Sequence, residues 1–183
     1  HNKDSETGEK RTGGKYELYT KEEISYIDSK GIQQIISANE KIITLASNEN
    51  GIIKISKDTN IDLPRGKYYL KEIEAPTGYV LQQEELVIDG TKEKLEEIIL
   101  IEKDFLGKQT KLVVKELDEN NNLTISSNFE IRKKETNEAI HKWTTNGKEE
   151  TFIKLETNVE YVIVETKPQA GYTTAKEVTF IIK

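Results

Sequence analysis

The residue types that most often carry catalysis or bind metals are scarce in this sequence. It contains no cysteine and only two histidines, His1 and His141. Without cysteine there is no disulfide, no thiolate metal site and no cysteine nucleophile. One histidine opens the sequence and the other stands beside Trp143, so they offer neither a Ser-His-Asp triad nor a histidine metal site. We therefore expect no enzyme activity, no cofactor and no metal ion.

Two glutamates stand out because the segments around them repeat. Residues 68–79 read YYLKEIEAPTGY and residues 161–172 read YVIVETKPQAGY, so that Tyr, Glu, Gly and Tyr recur at the same spacing. The glutamates are Glu72 and Glu165. Upstream, DSETG followed by Tyr16-Glu-Leu matches DENNN followed by Phe129-Glu-Ile. The repeat predicts two domains, residues 1–105 and 106–183, with a short linker at 104–109.

Three further patterns are interpreted as structure and not as sites. The segment GEKRTGGK (8–15) fails the spacing of a phosphate-binding loop and is interpreted as a turn. The segment DENNN (118–122) offers oxygen atoms to a cation but lacks the EF-hand pattern, which favours a solvated turn. Trp143 could stack on a carbohydrate, but the alternation of its strand favours a place in the core.

The composition limits the partners of the chain. Its 183 residues include 27 Lys and Arg against 33 Asp and Glu, which gives a net charge of −6, and 34% of the residues are hydrophobic. We expect no nucleic acid partner and no membrane partner, because clusters of Lys and Arg drive binding to phosphates. No apolar run approaches the ~18 residues that a membrane span requires. The small apolar fraction suits two thin domains, and we interpret the chain as part of a longer protein.

The secondary-structure signal is almost entirely β. Val, Ile, Tyr and Thr alternate with polar residues in short runs that turn signals such as Asn50-Gly51 separate. Segment 21–38 could form a short helix or a strand pair, and segment 91–99 has helix-forming residues. The interval before the Glu72 strand is longer than that before the Glu165 strand, which predicts an enlarged loop around 20–43. The predicted strands are 51–55, 68–73, 86–88, 98–101, 112–117, 129–132, 152–155, 161–165 and 178–182.

The segment LPRGKYYLKEIEAPTGYVL (63–81) resembles the signature of the Cna B-type, SpaA-like domains of Gram-positive surface adhesins and pilins. The family pattern is roughly L-x-x-G-x-Y-x-L-x-E-x-x-A-P-x-G-Y. The second segment matches it at Glu165, Gly171 and Tyr172, with Pro168 one place early. The resemblance covers nearly the whole chain in two copies. It implies an all-β fold of two tandem Ig-like (inverse, prealbumin-like) β-sandwiches.

The same resemblance implies a biological role outside the cell. A stalk or spacer of an extracellular, cell-wall-anchored adhesin or pilus would hold a distal binding region, with neighbouring domains of the same protein as partners. The alternatives are direct binding of a host matrix protein or glycan, for which the loop at 20–43 is the first candidate, and an accessory domain of an extracellular enzyme.

Many members of this family form an internal isopeptide bond, and this too is implied by the resemblance. A neutral Lys amine attacks the side-chain carbonyl carbon of an Asn or Asp. The motif glutamate, here Glu72 or Glu165, polarises that carbonyl in its protonated form. Such a reaction needs a dry, apolar site. Without the lysine, we expect each glutamate to accept hydrogen bonds from backbone donors or from a tyrosine, and the alternative is a partly solvated glutamate.

The other reactants of that bond are missing from the sequence. The family places its lysine two residues before the Asp of the opening turn, where this chain has Asn2 and Glu116. Lys3 and Lys115 are each displaced by one residue and should point away from the core, since side chains alternate along a strand. Glu102 stands at the usual acceptor position of the first copy, and the second copy ends too early to supply one. We therefore predict no usual isopeptide bond in either domain.

Overall fold

The structure is a computed structural model that describes residues 1–55, 61, 63–91 and 105–183. In these ranges the secondary structure consists of β-strands without helices. The chain divides into two compact units, His1–Lys108 (unit 1) and Gln109–Lys183 (unit 2). The predicted all-β class is confirmed.

Unit 1 is built around a four-stranded antiparallel sheet in the order β5-β2-β6-β7. Two further strands, β3 and β4, form an antiparallel pair, and β1 runs parallel to β8. The described strands of unit 1 are β1 (Asn2–Asp4), β2 (Lys15–Thr20), β3 (Ile24–Ile27), β4 (Gln33–Ile36), β5 (Lys41–Ala46), β6 (Lys67–Glu74), β7 (Leu86–Asp89) and β8 (Phe105–Gly107).

Unit 2 repeats the main sheet with the same arrangement. Its four antiparallel strands follow the order β11-β10-β13-β14, and β9 pairs with β12. In both sheets the strand that carries the motif glutamate, β6 or β13, lies between the central strand β2 or β10 and the edge strand β7 or β14. The strands of unit 2 are β9 (Lys111–Val114), β10 (Ile125–Lys133), β11 (Ala139–Asn146), β12 (Glu150–Ile153), β13 (Glu160–Lys167) and β14 (Val178–Ile181).

Strand alternation places the core of each unit on one face of its sheet. On β2 every second residue is buried, and Tyr16 and Leu18 join the core of unit 1. On β10 the same alternation buries Phe129 and Ile131. Trp143 stacks on Phe129 at 5.3 Å between ring centroids and packs against the core of unit 2, so the predicted core position is confirmed.

In three segments the structure either differs from the sequence prediction or shows which of two predicted alternatives forms. Segment 21–38 forms the strand pair β3–β4, the second of the two alternatives. The run 51–55 was wrongly predicted as a strand. Gly51 has a left-handed backbone conformation (φ 67°). The Gly51 carbonyl accepts a hydrogen bond from the backbone N–H of Asn2 on β1 (2.7 Å). Residues 105–107, expected within a linker, pair with β1, so unit 1 extends beyond the predicted 105/106 boundary.

Other predictions lie outside the described residues. These are the strand at 98–101, the helix-forming part of 91–99 beyond Thr91, and the acceptor position at Glu102.

Candidate functional site

The two motif glutamates occupy the same place in the two sheets. Glu72 on β6 lies opposite Tyr16 on β2, and Glu165 on β13 lies opposite Phe129 on β10. In each pairing the register shifts immediately before the aromatic residue, so one residue of the glutamate strand is skipped. Both glutamates are buried, at 1% and 6% exposure. We call their surroundings the unit 1 centre and the unit 2 centre.

The unit 1 centre pairs Glu72 with an arginine. Arg11 Nη2 donates to Glu72 Oε1 at 3.0 Å, and both side chains are completely buried. The Tyr16 hydroxyl donates to the same oxygen (3.1 Å), and the backbone N–H of Gln82 donates to Oε2 (2.7 Å). Burial, followed by the charge of Glu72, raises the pKa of Tyr16 far above its ordinary value. The tyrosine and backbone donors match the sequence expectation, whereas the arginine was missed.

Asn2, which the resemblance aligns with the family's lysine, is fully buried on β1. Its side-chain amide donates to the Arg11 carbonyl (2.9 Å) and to the Tyr16 hydroxyl oxygen (2.6 Å). Its side-chain oxygen accepts from Arg11 Nη1 at 2.9 Å. Asn2 thus links the arginine and the tyrosine that hold Glu72.

The geometry around the arginine depends on two further residues. The Arg11 guanidinium lies over the ring of Tyr79, 4.6 Å from the centroid, which is a cation–π contact. A Cβ atom at Gly107 on β8 would overlap that guanidinium. A larger residue at this position would have to displace the hydrogen-bonded guanidinium.

The unit 2 centre uses the same backbone frame with different side chains. The Arg11 N–H donates to the Asn2 carbonyl (3.0 Å), and the Thr124 N–H donates to the Glu116 carbonyl (3.1 Å). Glu116 therefore occupies the place of Asn2, and Thr124 that of Arg11. A threonine cannot supply the positive charge that the arginine brings to unit 1.

Glu165 therefore faces a second carboxyl group. Its Oε2 accepts from the backbone N–H of Ala175 at 2.6 Å, as the equivalent oxygen does in unit 1. The Thr124 hydroxyl donates to Glu116, which also lies near Ser127 and Glu165. Burial, followed by the charge of Glu165, raises the pKa of Glu116, although the hydrogen bonds from Thr124 and Ser127 oppose the shift.

The hydroxyl group near each centre belongs to Tyr16 in unit 1 and to Ser127 in unit 2, and these two residues do not occupy equivalent positions on their strands. Gly14 and Ser127 are equivalent, because each donates its backbone N–H to a Ser or Thr hydroxyl of the next strand region (3.2 and 3.0 Å). A Cβ atom at Gly14 would overlap the Tyr16 hydroxyl. In unit 2 that space is free for a Ser127 side chain, because Phe129 has no hydroxyl.

The displaced lysines do not reach the glutamates in the described structure. Lys3 lies between buried Asn2 and Asp4 on β1 and is only half-buried. Lys115 Nζ lies 3.0 Å from Glu149, and both side chains are more than half exposed. Both positions agree with the prediction from strand alternation that these lysines lie off the buried face.

The remaining candidates take structural positions. The ring of His141 packs on Phe152 at 4.9 Å between centroids. One Asp118 carboxylate oxygen accepts from the N–H groups of Asn120 and Asn122 (2.8 and 2.9 Å), which closes the turn. Among the described residues, no group of three or more His, Asp or Glu is arranged to hold a metal ion. The same residues include no helix of the length and apolarity that crossing a membrane requires.

The family of the chain follows from comparison with known sequences. The model of the SpaA family, described as a prealbumin-like fold domain, matches residues 1–103, more than half of the chain. The chain belongs to this family, and the predicted resemblance is confirmed. A search of curated proteins gave no match.

Solved structures of similar fold include a Bacillus anthracis protein and two pilus proteins. The TIE protein of Bacillus anthracis is 22% identical, with a TM-score of 0.52 over 100% of this chain and 30% of that one. A C-terminal fragment of the pilus adhesin SpaC from Lactobacillus rhamnosus GG is 14% identical (TM-score 0.47; 100% and 80% covered). A minor pilin of Streptococcus agalactiae is 16% identical (TM-score 0.34; 96% and 79% covered). The chain thus spans less than a third of the TIE protein.

Proposed function

We propose that this chain is a non-enzymatic pair of stalk or spacer domains from an adhesin or pilus-like protein anchored to a Gram-positive cell wall. Its partners are the neighbouring domains of the same protein, and a distal region carries the binding activity. Family membership and the repeated four-stranded sheet support this role. The observation that carries the proposal is that side chains engaged in hydrogen bonds or an ion pair occupy the family's reactive centre in both units.

The unit 1 centre supports the absence of an isopeptide bond. The position of the nucleophile holds Asn2, whose amide nitrogen already donates two hydrogen bonds. Glu72 is held by Arg11 in an ion pair, which is an interaction of the carboxylate. The bond-forming reaction described for the family needs a neutral amine and a protonated glutamate, and this arrangement supplies neither.

The unit 2 centre supports the same conclusion for a different reason. A second acid, Glu116, takes the place of the amine. The displaced lysine, Lys115, is paired with Glu149 on the surface. Both units therefore rely on noncovalent contacts between their strands.

Mass spectrometry of the intact, denatured chain tests this proposal. We expect the mass of the unmodified sequence, since each isopeptide bond would remove one ammonia or one water. A deficit of either size would contradict the proposal. Glu72→Ala and Glu165→Ala would then assign the bond, because only the variant of the bonded unit would regain the full mass.

A second function, direct ligand binding, is favoured by one specific observation. The β3–β4 pair and the turn between its strands expose three isoleucines, Ile27 (72%), Ile32 (55%) and Ile35 (61%). In unit 1 this pair lies in the connection between β2 and β5. In unit 2 the equivalent strands, β10 and β11, are joined by residues 134–138 alone. Exposed apolar groups that cluster on an added element are typical of binding surfaces.

Adhesion assays on immobilised matrix proteins and glycans separate the two functions. The Ile27→Ser/Ile35→Ser variant keeps Ile24, which is buried in the core, whereas deletion of 21–43 would remove it. A spacer predicts equal adhesion for the variant and the unaltered chain. Adhesion that the two substitutions abolish, with unchanged thermal unfolding, would support the binding role.

A further inference from the structure

The edge that β8 covers in unit 1 has a counterpart in unit 2. In unit 1, β1 runs parallel to β8, with Lys3 opposite Leu106. In unit 2 the segment equivalent to β1 is residues 116–118, which lie just after β9. Across the described ranges of the chain, this segment forms one bridge, from Leu117 to Leu123, and no ladder with another strand. We call the side of the segment that faces away from this bridge the open edge.

The backbone beside the open edge has hydrogen-bonding groups to offer. The Glu116 carbonyl accepts from the N–H of Thr124 at 3.1 Å, on the side of the bridge. On the same side, the Asp118 N–H donates to the Asn122 carbonyl at 2.9 Å. Successive residues of a strand direct their backbone groups to opposite sides, so the N–H and C=O of Leu117 face the open edge. Such groups are a template for another strand.

Two backbone donors that hold β8 in unit 1 have counterparts in unit 2. The carbonyls of β8 and of the residue after it accept from the N–H groups of Ser5 and Val80, at 2.9 Å each. In the repeat the corresponding residues are Glu119 and Thr173, which likewise follow the matched aspartate and tyrosine. Among the described residues, no backbone carbonyl accepts from the N–H of Glu119 or of Thr173. These donors are therefore available to a strand at the open edge.

The side chains at the two edges differ in the same sense. Tyr79 is 6% exposed in unit 1, whereas its counterpart Tyr172 is 50% exposed. Leu117 is 49% exposed, at the position where unit 1 has Lys3. An apolar residue opposite Leu117 on an added strand would cover it, since side chains on neighbouring strands pack side by side.

We propose that the open edge of unit 2 binds one further β-strand, parallel to residues 116–118, and that this strand comes from the part of the same protein that follows unit 2. The inference rests on the proposed function, in which these domains belong to a longer surface protein. The source is argued from unit 1, where β8 comes after β7 in the chain and returns to β1 at the start of the unit. The occupant is an extended segment of at least three residues, apolar opposite Leu117 and without proline, which cannot donate to a ladder.

A measurement on the unaltered chain tests whether the edge is open. Amide hydrogen exchange should be slow at Ser5 and Val80, whose N–H groups are bonded, and close to the rate of an unfolded peptide at Glu119 and Thr173. Slow exchange at both Glu119 and Thr173 would show that the edge is already covered and would overturn the proposal.

An extended chain tests whether the edge binds a strand. The probe is a copy of residues 92–108 appended directly after Lys183. Ile88 on β7 and Phe180 on β14 pair with equivalent tyrosines, so Lys183 corresponds to Thr91. The appended Phe-Leu-Gly then stands as far along the chain from β14 as β8 does from β7. The matched control carries Gly107→Pro in the appended copy alone, which removes a backbone donor from the added strand.

The single tryptophan makes unit 2 separately observable, because Trp143 packs against the core of this unit. Denaturant unfolding followed by its fluorescence should show that the extension raises the folding equilibrium constant of unit 2 roughly tenfold, which corresponds to an edge filled about nine times in ten. The proline control should match the unaltered chain. Equal midpoints for all three chains would overturn the proposal.

Hydrogen exchange in the extended chain locates the added strand and its source. We expect exchange at Glu119 and Thr173 to slow by about tenfold, with unit 1 unchanged. Protection at another edge, such as that of β3 or β4, would contradict the site. Protection that increases with protein concentration would mean that the strand enters a second copy, which would contradict the source. None of these results alters the intact mass of the unaltered chain, so the isopeptide bond is tested separately.

Discussion

Units 1 and 2 have the same sheet order, the same register shift before the aromatic residue and the same backbone bond to a motif glutamate, yet the side chains around that glutamate differ. In unit 1 an arginine forms an ion pair with Glu72. In unit 2 a second acid faces Glu165. The comparison teaches that strand register determines where the buried carboxyl lies, whereas a few side chains around it determine its interaction partners.

The side chains around the two glutamates differ between the units in groups of neighbouring residues. In unit 1, the buried guanidinium of Arg11 requires Gly107 beside it, and the Tyr16 hydroxyl requires Gly14. In unit 2, Phe129 leaves room for a serine at the position of Gly14. A single exchange between the units therefore leaves a clash or a lost partner, and combined exchanges should be better tolerated than the exchanges that create a clash.

The largest effect is expected when the ion pair of unit 1 is broken. Arg11→Met leaves Glu72 buried without its cation, which should cost unit 1 about 3–5 kcal/mol. Circular dichroism should show early melting of part of the chain while Trp143 fluorescence retains its original midpoint. Arg65→Met, at an exposed position, is the matched control and should change little. Equal effects of the two variants would show that the ion pair does not hold unit 1.

The next effect concerns the space that the arginine occupies. Gly107→Ala should destabilise unit 1 by roughly 1–3 kcal/mol, because the new methyl group overlaps the Arg11 guanidinium. In a double-mutant cycle with Arg11→Met, the two costs should be strongly non-additive, since the smaller side chain removes the clash. Additive costs would show that the two positions act independently.

A smaller effect is expected from moving the hydroxyl. Tyr16→Phe makes unit 1 resemble unit 2 and removes a hydrogen bond to Glu72, at a cost of about 1–2 kcal/mol. Gly14→Ser alone should be worse, because its side chain meets the tyrosine hydroxyl. The double variant should be more stable in thermal unfolding than Gly14→Ser alone. If it is less stable, the two units do not use equivalent hydroxyl positions.

The smallest effect is expected at the displaced lysine of unit 2. Lys115→Met removes an exposed ion pair with Glu149 and should change the stability of unit 2 by less than about 1 kcal/mol. The change is measured by Trp143 fluorescence during denaturation. A loss several times larger would indicate that Lys115 takes part in the unit 2 centre.

The sequence predicted the features that depend on local pattern. The repeat located both glutamates on equivalent strands, and alternation along a strand placed Lys3 off the buried face and Trp143 against the core. The sequence prediction missed an interaction between residues that are far apart in the chain. Arg11 lies 61 residues before Glu72, inside a segment that resembles a plain turn. A buried glutamate without a lysine needs another donor, and that requirement was the available signal for searching the residues that follow Asp4.

Other misses have a similar cause. The run 51–55 alternates like a strand, but it contacts β1 through the Gly51 carbonyl in place of a continuous ladder. Residues 105–107 look like a linker because three residues carry little pattern, and only their pairing with β1 makes them a strand. Short strands are defined by their partners more than by their own sequence.

The central claim is that noncovalent contacts replace the family's covalent bond in both glutamate centres. High-resolution mass measurement of the denatured 20.9 kDa chain tests it most directly. Our account predicts the full mass of the sequence, with every ammonia and water accounted for. A chain lighter by one ammonia or one water, with the loss mapped to a peptide that joins two strands of one unit, would contradict it.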